Sequence, residues 1–278
     1  MKLNLESNGV FTDHDPTKTE LEIFRLCLST FQDGSGQLKV KAGTLPGWRD
    51  YERTVGEITQ GMCTEDKGIF DVLCNPPKST VSVGLSCKMR KELARIKRDG
   101  RVTIELSNSS KKMWQALATD GITAVNYKAN PGKVGNVLVS LVEEWHKAAA
   151  TYQGQSIDVS KSRYLALLWD QKTGEYQLFK FLLELPDPSE IHWYFPESSG
   201  QSRLAGHLNG DDASGGRIFE WYGESGGQLK YYPHRKDALW ESPVFTLESM
   251  PINVDFTLSG KAVAYFPSKW NQLEFAES

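Results

Sequence analysis

The chain has 278 residues, 39% hydrophobic and 24% charged, with a formal net charge of −3 at pH 7. That balance argues against a disordered chain and gives ample length for one large core or two closely packed ones. No apolar run approaches the roughly 18–20 residues that span a bilayer, and the first residues lack the apolar stretch of a secretory signal. The expectation is a cytoplasmic protein with no membrane partner.

Residues 17–31 predict a helix, with Leu21, Phe24, Leu28 and Phe31 on one face and a threonine cap. A glycine-containing loop around a short strand follows. A second helix begins near Arg49 and carries the apolar stripe Tyr51, Val55, Ile58 and Met62. GIFDVLC predicts a short strand stopped by Asn75-Pro76-Pro77, and STVSVGLSCKM alternates as its partner strand. MRKELARIKR fits a helix through Met89, Leu93 and Ile96, and equally a strand. Asp99-Gly100 favours the strand, joined as a hairpin to RVTIELS. Two helices come next, the second (residues 131–152) with Val134, Val137, Leu141 and Trp145 as its buried stripe. Beyond Lys161 the pattern turns to strands, with hairpins expected around Lys172-Thr173-Gly174 and Glu224-Ser225-Gly226 and a polar Gly/Ser-rich loop between them. The fold class is therefore α+β, a mixed central sheet flanked by helices with a β-rich C-terminal half. A division near residue 160 is expected, with 161–278 completing the sheet of 1–160 in one compact unit.

Two features carry chemistry. Side chains alternate across a strand, so Ser86 and Lys88 share one face of STVSVGLSCKM while Val81, Val83, Leu85 and Cys87 take the other. The apolar set is expected in the core, leaving Ser86 and Lys88 on a polar face. Asp71, between Phe70 and Val72, can converge on Lys88 if the strands pair. Phosphodiester hydrolysis needs such a group: carboxylates hold a hard cation, and a lysine beside them orients water or stabilises phosphorane charge. The second feature is a run of nine basic side chains against three acids over residues 88–112, which fits a polyanion or simply a solvated face. The four cysteines (Cys27, Cys63, Cys74, Cys87) lack ligand spacing and are expected to be free thiols. No phosphate-binding glycine loop is present, so no nucleotide cofactor is expected.

Asp71 followed by Ser86-Cys87-Lys88 at the end of an alternating strand resembles the core of the PD-(D/E)XK nucleases, where an Asp and an acid-x-Lys pair lie on adjacent strands. Tyr51-Glu52-x-x-Val55-Gly56-x-Ile58 is similar to the helix that precedes the catalytic Asp in many members. The likeness covers roughly residues 49–90. Ser86 stands where the family has an acid, and Phe70 where the motif has proline. A Ser-x-Lys variant occurs among restriction endonucleases that read a CCGG core, with a glutamate from elsewhere completing the site.

The resemblance implies a restriction-endonuclease-like core and a type II restriction endonuclease that cuts double-stranded DNA with Mg²⁺, as a homodimer on a palindromic target. Asp71 and Glu52 would hold the metal, Lys88 would act on water or phosphate, and Ser86 would keep the place of the missing acid. Glu57 and Glu92 are the other candidates for the second carboxylate. Expected DNA contacts are Arg90, Arg95, Lys97, Arg98 and Arg101 in the basic run, and Arg203, Arg217, Lys230 and Arg235 in the second half. The alternatives are a repair or structure-specific nuclease of the same fold and a non-enzymatic nucleic-acid-binding protein.

Overall fold

The computed structural model describes residues 9–41, 43–64, 68–77, 79–196, 206–224, 226–251 and 257–268. Helix α1 (Lys18–Ser29) starts at Thr17, whose hydroxyl accepts the Glu20 N–H while the Glu20 carboxylate accepts the Thr17 N–H. That reciprocal cap satisfies two amides the helix leaves open. Phe24 and Leu28 are buried, and Phe31 lies past the helix end, half-buried. Strands β1 (Leu38–Val40) and β2 (Gly43–Leu45) pair as a hairpin ahead of α2 (Trp48–Thr59). Asp50 fixes the start of α2 by accepting the Gly47 N–H at 2.9 Å and the Gln37 N–H at 2.7 Å.

Tyr51, Val55 and Ile58 form the buried face of α2, but Met62 does not extend it. Gln60 takes a left-handed conformation (φ +51°) that stops the helix, and Met62 opens β3 (Met62–Cys63) with 47% of its surface exposed. β4 (Val72–Cys74) is shorter than GIFDVLC, starting one residue after Asp71, and pairs antiparallel with β5 (Val83–Arg90).

The expected hairpin over 89–107 is replaced by a helix, α3 (Leu93–Asp99), which buries Leu93 and Ile96. Gly100 caps it with φ +68° and donates its N–H to Ile96 O. A positive-φ glycine serves a hairpin turn and a helix end alike, so the Asp-Gly pair did not discriminate between them. β6 (Ile104–Ser107) pairs far along the chain instead. α4 (Ser110–Thr119) and α5 (Pro131–Ala148) follow. The buried face of α5 is Val134, Leu138, Val139, Val142 and His146, rotated from the predicted stripe, of which Val137, Leu141 and Trp145 are only partly covered.

The remaining strands are β7 (Thr151–Tyr152), β8 (Gln155–Ser156), β9 (Arg163–Trp169), β10 (Glu175–Leu182), β11 (His192–Tyr194), β12 (Leu208–Asp211), β13 (Arg217–Tyr222), β14 (Gln228–Tyr231), β15 (Trp240–Glu241) and β16 (Phe245–Thr246), before helix α6 (Leu258–Tyr265). Both predicted hairpins of this half form, β9 with β10 and β13 with β14.

Among the described residues the fold is a mixed α+β arrangement with two main sheets. The first runs β15–β10–β9–β5–β4–β3, with β16 also on β10, and within it β5 and β9 are parallel. The second is antiparallel, β11–β12–β13–β14–β6. Strands from before residue 160 therefore sit in both sheets, as do strands from after it. On one face of the first sheet, Leu85, Cys87, Leu165 and Leu167 pack against α1 and α2. On the other, Phe70, Tyr164, Ala166 and Phe179 pack with Leu93 and Ile96 of α3. Both faces of the middle of β5 are thus covered. Ser86, expected on a polar face, is 1% exposed. The second sheet packs Trp193, Phe219 and Trp221 against α4 and α5. No described helix is long and apolar enough to cross a membrane.

Candidate active site

Pairing of β4 with β5 sets Val72 opposite Leu85 and leaves Asp71 at the strand's mouth, its N–H donating to Leu85 O at 3.0 Å. Gly84 makes room for this: a side chain there would collide with the Phe70 ring, which carries Asp71 into position. The Asp71 carboxylate accepts two bonds, both on Oδ2, from Cys87 N–H at 2.7 Å and from Lys88 Nζ at 3.2 Å. Among the described residues no hydrogen bond reaches Oδ1. The backbone amide orients the carboxylate, and the ammonium is a charge-assisted partner. Asp71 and Lys88 therefore meet, as alternation allowed once the strands pair.

Glu52 joins them from α2. Its buried neighbours Tyr51 and Val55 bind the helix to the first sheet, and Glu52 lines the cleft that contains Asp71 and Lys88. The cleft has a volume of about 470 Å³, and its other walls include Trp48, Arg90, Glu105 and Asn108. Glu52 is 8% exposed, and its carboxyl is pushed up to about 7 by burial and then by the charge of Asp71. Arg49, Lys88 and Arg53 only partly offset those effects. Beneath the cleft, burial and the nearby carboxylates push the Tyr51 phenol and the Cys87 thiol well up, so both stay neutral. Among the described residues the buried Tyr51 hydroxyl has no hydrogen-bond partner. His146 of α5 shares a 2.7 Å hydrogen bond with Tyr164 OH and is held down to about 4 by burial and by Lys88. It adds no positive charge beside the lysine near neutral pH.

The other expected acids lie elsewhere. Glu57 is on the exposed side of α2. Glu92 accepts the Thr103 hydroxyl and lies beside Arg95, outside the cleft lining. Ser86 is also outside that lining.

Most of the expected DNA-contacting cations are engaged by acids of the chain itself. Arg90 pairs with Glu105, Arg101 with Asp212, Lys97 with Glu175 at 2.8 Å and Arg98 with Asp99 at 3.1 Å. Arg95 lies 3.9 Å over the Tyr232 ring and pairs with Asp99 at 3.3 Å. Arg217 donates to Asp211, Asn209 and Tyr194, and Arg235 pairs with Glu241. Lys230 donates to Tyr222 OH at 3.2 Å. Arg203 lies outside the described residues.

Five cleft residues were not singled out from the sequence: Trp48, Glu105, Leu106, Ser107 and Asn108. Glu105 carried a readable sign, since in Ile104-Glu105-Leu106-Ser107 it alternates with the inward Ile104. Trp48 carried another, standing four residues before Glu52 and so on the same helix face. No family model, curated protein or solved structure matches the chain.

Proposed function

We propose that this protein is a Mg²⁺-dependent nuclease that hydrolyses phosphodiester bonds in double-stranded DNA at a specific sequence, in the manner of a type II restriction endonuclease. The observation that carries the reading is the meeting of Asp71, Lys88 and Glu52 in one cleft, from a helix and two adjacent strands in the chain order of the PD-(D/E)XK resemblance.

The donor set fits a hard divalent cation. Asp71 and Glu52 line one cleft, whose third carboxylate, Glu105, is paired with Arg90; Asp71 Oδ1 accepts no hydrogen bond among the described residues, and Glu52 is raised to about 7 by burial and by the charge of Asp71. Mg²⁺ commonly takes one or two protein carboxylates and completes its shell with water and phosphate oxygens, so no third protein ligand is required. When bound, such an ion polarises the phosphate and lowers the pKa of an attacking water. Glu52 must give up its proton to serve as a ligand. Lys88, fixed by Asp71, places its ammonium where charge grows on the phosphorane oxygens. The Cys87 amide holds Asp71 in its rotamer, and Glu52 stands in for the acid absent at Ser86. A palindromic target would be read by a homodimer.

One observation favours a second reading. With so many cations paired internally, the broad basic footprint that grips duplex backbones is reduced, as suits a structure-specific nuclease with a small contact area. Incubation with phage DNA and Mg²⁺ tests both. Discrete bands are expected of the restriction reading, and cutting confined to branched or unpaired substrates of the second. DNA left intact but retained in EDTA would reject both in favour of binding alone.

A further inference from the structure

Trp48 opens helix α2 and lines the cleft with 50% of its surface exposed, whereas its neighbour Tyr51 is fully buried. Trp48 and Glu52 are four residues apart on one helix, so their side chains stand one above the other, with roughly 5–6 Å between Cβ atoms. The indole is therefore about one turn of helix from the acid pair. The Arg49 guanidinium lies 4.7 Å from the indole centroid, a cation–π contact that steadies the ring and brings positive charge to the cleft mouth. Arg53, 67% exposed and 3.9 Å from the buried Asp50 carboxylate, adds a second cation one turn further along. Both arginines act electrostatically on Glu52, so their charge is felt at the acid pair although neither lines the cleft itself. Across the cleft run Leu106, Ser107 and Asn108.

A half-exposed aromatic ring, flanked by arginines and one helical turn from a phosphate-processing acid pair, matches what binds a nucleotide: a flat π face for the base and cations for the phosphates. We propose that Trp48 is a stacking platform for the nucleobase next to the scissile phosphate, and that this base leaves the duplex stack on binding, so that a duplex already unpaired at that point is bound and cut more readily. The unpaired base follows from geometry. Within a continuous duplex both faces of every base are covered by neighbours, so an indole stacks on a base only where the stack is opened, most readily at a strand end, in a bulge or flap, or on a base flipped from the helix. This inference rests on the phosphodiester-hydrolase reading of the same site and sharpens its substrate class.

The test compares a continuous DNA duplex with the same duplex carrying one unpaired 2-aminopurine, for the intact chain, Trp48→Ala and Trp48→Phe. Binding and 2-aminopurine fluorescence are read in Ca²⁺, and cleavage in Mg²⁺. The expected result is tighter binding and faster cutting of the bulged duplex, with 2-aminopurine quenched on binding. Trp48→Ala should bind the bulged duplex between about fivefold and a hundredfold more weakly and lose the quenching, while Trp48→Phe restores most of both. Thermal melting of the three proteins should agree, since Trp48 is half in solvent. Unchanged affinity and quenching in Trp48→Ala, with cutting intact, would overturn the stacking role alone. Failure of the intact chain to cut any substrate would overturn the hydrolase reading beneath it.

Discussion

Glu52 and Glu220 are two carboxylates withdrawn from water to a similar degree, one in the cleft and one on β13, and their surroundings have opposite effects. For Glu220, burial works against the charge, but hydroxyls of Tyr232 and Tyr222 each donate at 2.7 Å, and Lys230 and Arg217 stand near. The net effect holds its carboxyl below the ordinary range. Glu52 has burial and the Asp71 charge against it and no hydrogen bond to its carboxylate among the described residues, so it sits near 7. A carboxylate with its charge answered by the chain belongs to the framework. One answered only in part, beside a second acid, is where a ligand site is to be sought.

The largest effect should separate the two regions by function. Asp71→Ala and Lys88→Ala are expected to lower cleavage by about a thousandfold or more while leaving DNA binding within about tenfold, because in their proposed roles these groups act on the transition state. Near-normal turnover in either variant would remove the assignment.

Next in size is a pH-dependent stability difference at Glu52, measured in EDTA. Its folded pKa of about 7 lies above the ordinary 4.5, so the folded state holds a proton that the unfolded chain gives up. That stabilisation is complete below about pH 4.5 and is lost as pH rises through 7. Above it, ionised Glu52 costs roughly 2 kcal/mol after allowance for solvent at the cleft mouth. Glu52→Gln should therefore melt higher than the parent chain at pH 8, with the gap closing toward pH 5. An equal gap at both pH values would contradict the burial and charge account.

Glu220 should show the reverse profile. Tyr232→Phe removes one of its donors and is expected to cost about 1 kcal/mol of stability with cleavage unchanged. Loss of cleavage at unchanged stability would erase the contrast between the regions. Smallest is the change at Lys97 and Arg98, which are 61% and 72% exposed. Replacing both with glutamine should flatten the salt dependence of DNA binding by somewhat under one log–log unit per lost phosphate contact. An unchanged slope would show that α3 does not touch DNA.

The meeting of Asp71 with Lys88 was legible because strand alternation is local and the two strands are close in sequence. Placing Glu52 beside them required the family likeness, since periodicity shows that α2 has a buried stripe but not which acid beside that stripe faces the cleft. The ion pairs were not legible. Arg101 finds Asp212 and Lys97 finds Glu175 across 111 and 78 positions, so a run that reads as a free basic face is neutralised in part by partners brought in by the fold. Helix α3 was misread because Gly100 suits a hairpin and a helix end equally, and only the burial of Leu93 and Ile96 decides. The face of α5 was misplaced because apolar residues surround most of that helix, and packing against α4 and the second sheet selects among them.

The central claim is that Asp71 and Glu52 form a cation site where Glu220 does not, and Mn²⁺ binding followed by electron paramagnetic resonance tests it most directly. The account predicts Mn²⁺ binding at pH 8, weaker by roughly tenfold at pH 6 as Glu52 regains its proton. Binding should be lost in Asp71→Asn, strongly weakened in Glu52→Gln and retained in Glu220→Gln. Mn²⁺ affinity unchanged in both cleft variants would contradict it.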